Sequence, residues 1–186
     1  MTLNTMSALC RTLLCSALFA VAACGGAEVA DDGSSDDLAV SGPFEPVEHF
    51  ASAQRLAAKY AKNPVSVALR GARSGDAMQT NSAAYTWTWS LMGEGGMYVD
   101  VVSGPKGNKV IAHEKRFTFA GMGTFVPSAL TVNGDDVVQL VMKAGLSQPS
   151  ELTLGAGLTH QMAPTWSATC GKKVVQVDAT TGSIAK

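Results

Sequence analysis

Histidine is scarce in this chain, with three in 186 residues, and none stands in a spacing that metal or acid–base chemistry favours. His113 precedes Glu114 in a segment patterned as a strand, where adjacent side chains leave opposite faces and cannot share a metal by local geometry. His49 and His160 read as surface positions, at a helix start and after a strand. The signatures H-E-x-x-H, C-x-x-C, G-x-S-x-G and G-x-x-x-x-G-K-[ST] are all missing. Ser103-Gly104 and Ser128 have no base beside them to activate a hydroxyl. These absences argue against an enzyme and leave catalysis only to a site assembled from distant residues. An excess of one charge is lacking too. Lys plus Arg is 14 against 15 for Asp plus Glu, a formal charge of −1, so nothing draws the chain to nucleic acid. The apolar run Leu13–Ala23 is eleven residues long, well short of the roughly 20 that span a bilayer. Of the eight methionines, Met92, Met97, Met122 and Met162 are scattered without metal-box spacing, and Met142 reads as core filler in a helix. No cofactor or metal is expected.

What is present divides the chain. Residues 1–23 have a polar start with Arg11, then the apolar run, then small residues, the layout of a secretory signal. Val21-Ala22-Ala23-Cys24 resembles the bacterial lipobox. That resemblance implies cleavage before Cys24, acylation of that cysteine, and, with Gly25 following it, residence at the outer membrane. Acyl chains contribute about 0.8 kcal/mol per buried CH₂, and more than one chain anchors stably. A cut near Ala27 would instead give a soluble exported protein. Residues 24–42 include Glu28, Asp31, Asp32, Asp36 and Asp37 and no base. Gly, Ser and Asp there bury too little to offset ordering entropy, so the segment is expected to be a flexible acidic tether reaching roughly 20–25 Å. Residues 41–186 hold 13 bases against 10 acids, a mildly basic body. With Cys10 and Cys15 lost and Cys24 acylated, Cys170 remains as a single thiol, in a pattern typical of a small buried hydrophobe. Without acylation, a Cys24–Cys170 bridge becomes available.

The body opens with a helix. Pro46 suits a first turn, Glu45 and Glu48 suit its positive end, Val47, Phe50, Ala53, Leu56, Ala57 and Tyr60 share a face, and Asn63-Pro64 ends it. The period then changes to two: Val65, Val67 and Leu69; Tyr85, Trp87, Trp89 and Leu91; Met97, Val99 and Val101. Pro105-Lys106-Gly107-Asn108 predicts a hairpin into Lys109–Phe119. A second helix follows, with Asn133, Asp135 and Asp136 as cap and first-turn residues, Val137, Leu140, Val141 and Ala144 as its apolar face, and Gly145 as its stop. Leu152, Leu154, Ala156 and Leu158 alternate, as do Trp166, Ala168 and Cys170, and Gly171-Lys172 predicts a two-residue turn into Lys173–Ala179.

Helix then strands occurs twice, and residues match as well as periods. Thr88-Trp89-Ser90 matches Thr165-Trp166-Ser167, and Val99-Asp100 followed by Gly104 matches Val177-Asp178 followed by Gly182. In both closing strands, Asp100 and Asp178 are expected to accept turn amides while Gly104 and Gly182 take positive φ. At these residues, Val177-Asp178-Ala179-Thr180-Thr181-Gly182 above all, the chain resembles the PepSY family of small α+β envelope domains, and a tandem pair is similar in architecture to β-lactamase inhibitor protein. The first half fits less well, because Val101 and Val102 replace smaller residues and Gly71–Ser82 adds a polar loop. The expected fold is therefore α+β, two tandem repeats of a helix packed on an antiparallel meander: residues 43–120 and 133–186, joined by a connector at 121–132.

The resemblance implies a non-catalytic protein- or peptide-binding module of the cell envelope, a peptidase inhibitor or modulator among the options, attached to the membrane through Cys24. A structural lipoprotein without a dedicated partner is the alternative, and a small hydrolase a lesser one. Aromatics favour interface centres, which makes Tyr85, Trp87, Tyr98 and Trp166 candidate binding residues. Trp87 shares parity with Trp89 and so competes for the core. Tyr98 faces away from Met97 and Val99 and is the best exposed of the four.

Overall fold

A computed structural model describes residues 44–74, 81–116, 123–156 and 163–185. Cys24, the leader, the tether, Leu158, His160, Met122 and Met162 lie outside the described residues. Two helices, α1 (Phe50–Ala57) and α2 (Gly134–Lys143), accompany eight strands: β1 (Val65–Arg73), β2 (Tyr85–Met92), β3 (Met97–Gly104), β4 (Gly107–Lys115), β5 (Glu151–Gly155), β6 (Thr165–Cys170), β7 (Lys173–Asp178) and β8 (Ile184–Ala185). All strand pairs are antiparallel, and the order is β4-β3-β2-β1-β5-β6-β7-β8. The fold is thus α+β. The two expected meanders are not separate sheets: β1 pairs with β5, Leu69 opposite Leu154, and makes one continuous sheet. Side-chain alternation already showed which face each strand buries. It could not show which strands meet across the middle.

The helices form for different reasons. In α2, the Asn133 side chain accepts from the Asp136 amide while the Asp136 carboxylate accepts from the Asn133 amide, a reciprocal cap that satisfies two otherwise orphaned donors. Gly145 at φ 79 ends the element. In α1 no side chain caps the first turn, and the helix is held by burying Ala53, Leu56 and Ala57 against β2, β3 and β4. Helical stability of this kind comes from tertiary packing of one face. Met142 is corrected here: it is 41% exposed on the outer side of α2, and Val138 takes the core position instead.

Both helices lie on the same face of the sheet. That face is built from Leu69, Trp87, Trp89, Leu91, Val99, Val101, Leu152, Leu154, Trp166 and Val177, all fully buried. Trp87 sits where the halves meet. Its ring packs edge-on to Trp166 with centroids 6.1 Å apart, and its indole N–H donates to the Ser82 carbonyl at 2.9 Å. A Cβ added to Gly71 would lie 2.6 Å from this ring, and one added to Gly134 2.9 Å away. Glycine is therefore required at both positions by close approach rather than by backbone angle.

Two hairpins follow their turn residues. Gly104 pairs with Gly107 around Pro105-Lys106, and Gly107 at φ 106 carries the left-handed step. Cys170 pairs with Lys173 around Gly171-Lys172, with Gly171 at φ 62. Two irregularities break the strict period. The β1–β2 register shifts between Ser66 and Ala68, which turns Val65 outward to 40% exposure. The β3–β4 register shifts between Asp100 and Val101. The strand expected to run to Phe119 ends at Lys115.

Candidate functional site

Alternation in β1 to β7 leaves a second face opposite the helices. Its middle is small and hydroxylated: Thr88 and Ser90 from β2, Ala68 and Ala72 from β1, Thr153 and Gly155 from β5, and Thr165, Ser167 and Thr169 from β6, brought into rows by the strand registers. Tyr98 is buried on this face. Ile111 and Val174, 40% and 65% exposed, stand near opposite edges. Hydroxyls alternating with Ala and Gly make a shallow floor that can donate and accept hydrogen bonds, with the Arg70 side chain rising between Thr88 and Thr153.

Several charges on this face are engaged in ion pairs. Arg70 bridges to Glu151 at 2.8 Å across the β1–β5 junction. Arg116 bridges to Glu114 at 2.5 Å and to Asp100 at 3.1 Å, and Ser90 donates to Asp100 at 2.7 Å. The Glu114 bond first, and then Asp100, raise the Arg116 guanidinium above its ordinary value, the two carboxylates outweighing the opposing effect of burial. The face is consequently close to neutral where it is flattest.

None of the four aromatic candidates forms an exposed patch. Trp87 and Trp166 are fully buried, and Tyr85 is 5% exposed with its hydroxyl donating to the Pro149 carbonyl at 2.6 Å. These three share the helix-facing parity of β2 and β6, so packing claims them. Burial is the main cause that raises the Tyr85 phenol above its usual value. Tyr98 does sit on the open face, as its parity requires, but Arg116 lies 5.2 Å over its ring and leaves it 4% exposed. Sequence reasoning missed that cover because Arg116 lies beyond the strand end, and it passed over the Thr and Ser positions because their alternation looked like mere solvated parity.

The turn residues divide. Asp178 accepts from the Thr180 and Thr181 amides at 2.8 and 2.7 Å, with Gly182 at φ 72; the amides, Thr181 first, hold its carboxyl below the usual range. Asp100 and Gly104 are corrected. Asp100 faces Ser90 and Arg116 instead of turn amides, and the left-handed residue of that hairpin is Gly107. Register explains the difference. Trp89 pairs with Val101 and Trp166 with Val177, so Asp178 follows the paired valine whereas Asp100 precedes it.

Nucleophile and metal chemistry have little to work with in the described residues. Cys170 is buried and burial pushes its thiol up, away from the reactive thiolate. His113 stacks on Tyr60 with centroids 4.7 Å apart, on the face opposite Glu114. His49, expected at the surface, is half-buried and stacks on Phe44 at 4.8 Å. No group of three or more His, Cys, Asp or Glu among the described residues is placed to hold a metal. A cleft beside α2 includes Asp135 and Asp136, but these carboxylates are already committed to the Ser82 and Asn133 amides. No described helix is long and apolar enough to cross a membrane. No protein-family model, no curated protein and no solved structure matches this chain.

Proposed function

We propose that this chain is an exported lipoprotein, anchored through Cys24, whose body is a non-catalytic binding module that receives another envelope protein on the open face of its sheet. The observation that carries this is the asymmetry of the sheet. One face is closed by two helices and a Trp-rich core. The other is broad, nearly neutral and floored by Thr, Ser, Ala and Gly, with no described element lying over it. Apart from the Arg70–Glu151 ion pair between Thr88 and Thr153, the small-residue floor is uncharged, as suits the buried centre of a protein interface, where charged side chains are depleted. A protruding loop with apolar or hydroxyl side chains is the complementary shape, and a peptidase is the partner class that the PepSY resemblance suggests.

The tandem-repeat reading belongs to the same proposal. It is supported by helix-then-meander order in both halves, by the equivalent pairing of Trp89 with Val101 and Trp166 with Val177, and by Leu69 facing Leu154 where the halves join. The acidic stretch from 24 to 42 serves as the spacer between bilayer and body.

Photo-crosslinking side chains placed at Thr88, Thr153 and Ser167 in intact cells test the binding face, with Met142 on α2 as the comparison position. A single envelope protein captured from the sheet positions and not from Met142 is the expected result. Burial of all four aromatic candidates favours the alternative, a structural lipoprotein without a dedicated partner. Equal or absent capture at both faces selects it. Peptide or ester turnover abolished by one Ser or His substitution would replace both readings with a hydrolase.

A further inference from the structure

The stretch from Phe44 to His49 leads from the tether into α1, and it is packed as a strap rather than as a helix. Phe44 is 3% exposed, its carbonyl accepts from the Ser82 hydroxyl at 2.5 Å, and its ring stacks on His49. Three consecutive i to i+3 bonds, from Glu48 to Glu45, His49 to Pro46 and Phe50 to Val47, each 3.2 Å, shape it. Inside the strap, both Glu45 carboxyl oxygens are buried, with the Gly134 and Val47 amides beside them. Close by stands a second carboxylate, Asp135 of α2, which accepts from the Ser82 amide. A buried carboxyl with a second negative charge near it favours its protonated form.

We propose that residues 44–49 form a proton-controlled latch, shut against α2 and the 82–84 turn when the Glu45 carboxyl is neutral, and released when it ionises. The charged groups acting on Glu45 are Asp135 from α2 and Glu48 from the strap itself; His49 lies one turn along, and the 82–84 turn brings no titratable side chain. Burial first, then Asp135, pushes the carboxyl from 4.5 up to about 7, against the pull of the Gly134 and Val47 amides. The sign follows directly. A group that holds its proton more tightly in the shut state supports that state at low pH and withdraws the support as pH rises through about 7. Release adds about 20 Å of extended chain between the anchor and α1.

Hydrogen exchange of the full chain, corrected for intrinsic rates, tests this through the amides of Glu48, His49 and Phe50. With a carboxyl at about 7 shut and 4.5 released, their protection falls on the order of a hundredfold between about pH 5 and pH 8. Amides of β6 and β7 hold constant over the same range. Glu45→Gln keeps shape and hydrogen-bonding capacity and abolishes the fall, and Asp135→Asn moves its midpoint to lower pH than in the natural chain because the facing charge is gone. A flat profile in the natural chain, an unchanged fall in Glu45→Gln, or an equal fall in β6 and β7 overturns the latch.

Discussion

The two halves of the sheet reach a similar layout by different means. In the second half, local signals suffice: Asn133 and Asp136 cap α2 reciprocally, Gly145 stops it, Gly171 turns the β6–β7 hairpin, and Asp178 ties its own turn. The first half has longer strands, two tryptophans in β2 and a helix without a side-chain cap, and it holds together by burial. The contrast teaches that an uncapped, eight-residue helix persists when a deep apolar floor is provided for it, whereas the shorter strands of the second half depend on turn chemistry at each end.

Substitutions at the join should disturb both halves and have the largest effects. Trp87→Ala empties the volume between Gly71, Gly134 and Trp166 and is expected to lower unfolding free energy by about 4 kcal/mol in denaturant titration. A loss under about 1 kcal/mol would mean that the halves do not share this core. Gly71→Ala drives a methyl into the Trp87 ring and is expected to cost about 2 kcal/mol; an unchanged melting temperature would contradict that close approach. Asn133→Ala removes the cap bond of α2 and should cost about 1 kcal/mol, with exchange protection lost first at the start of that helix. Loss first in α1 would reverse the distinction between capped and uncapped helices. Smallest of all is the Arg70–Glu151 pair. With side chains 62% and 36% exposed, a double-mutant cycle should find coupling under about 0.5 kcal/mol. A coupling of several kcal/mol would make this bridge, rather than tryptophan packing, the fastening between β1 and β5.

Much of this organisation was legible in the residues. The period-two runs of β2 and β6 placed Trp87, Trp89 and Trp166 on one face, and Gly171-Lys172 and Pro105-Lys106 marked their hairpins. Asn133, Asp135 and Asp136 together marked the start of α2, where Asn133 proves to be the cap and Asp136 its reciprocal partner. What alternation cannot encode is pairing between distant strands, so the β1–β5 seam was invisible. Nor does it encode an arm reaching over from beyond a strand, which is why Tyr98 read as exposed while Arg116 covers it. The matched Val-Asp motifs misled for a related reason. Identical dipeptides sit two residues apart relative to their tryptophan's partner, and that offset decides whether the aspartate meets turn amides or a neighbouring strand. Of the open face, only Tyr98 was proposed from sequence, because small hydroxyl residues carry no chemical signature until a sheet lines them up.

The seam also governs what happens when the polypeptide is cut. A fragment ending after β4 would present β1 as a naked border with unused amides and carbonyls, the kind of rim that recruits another strand. Since the native neighbour of β1 runs antiparallel to it, two such fragments can satisfy one another by antiparallel two-fold pairing of their β1 strands, and severed halves are therefore expected to appear as dimers or aggregates instead of quiet monomers.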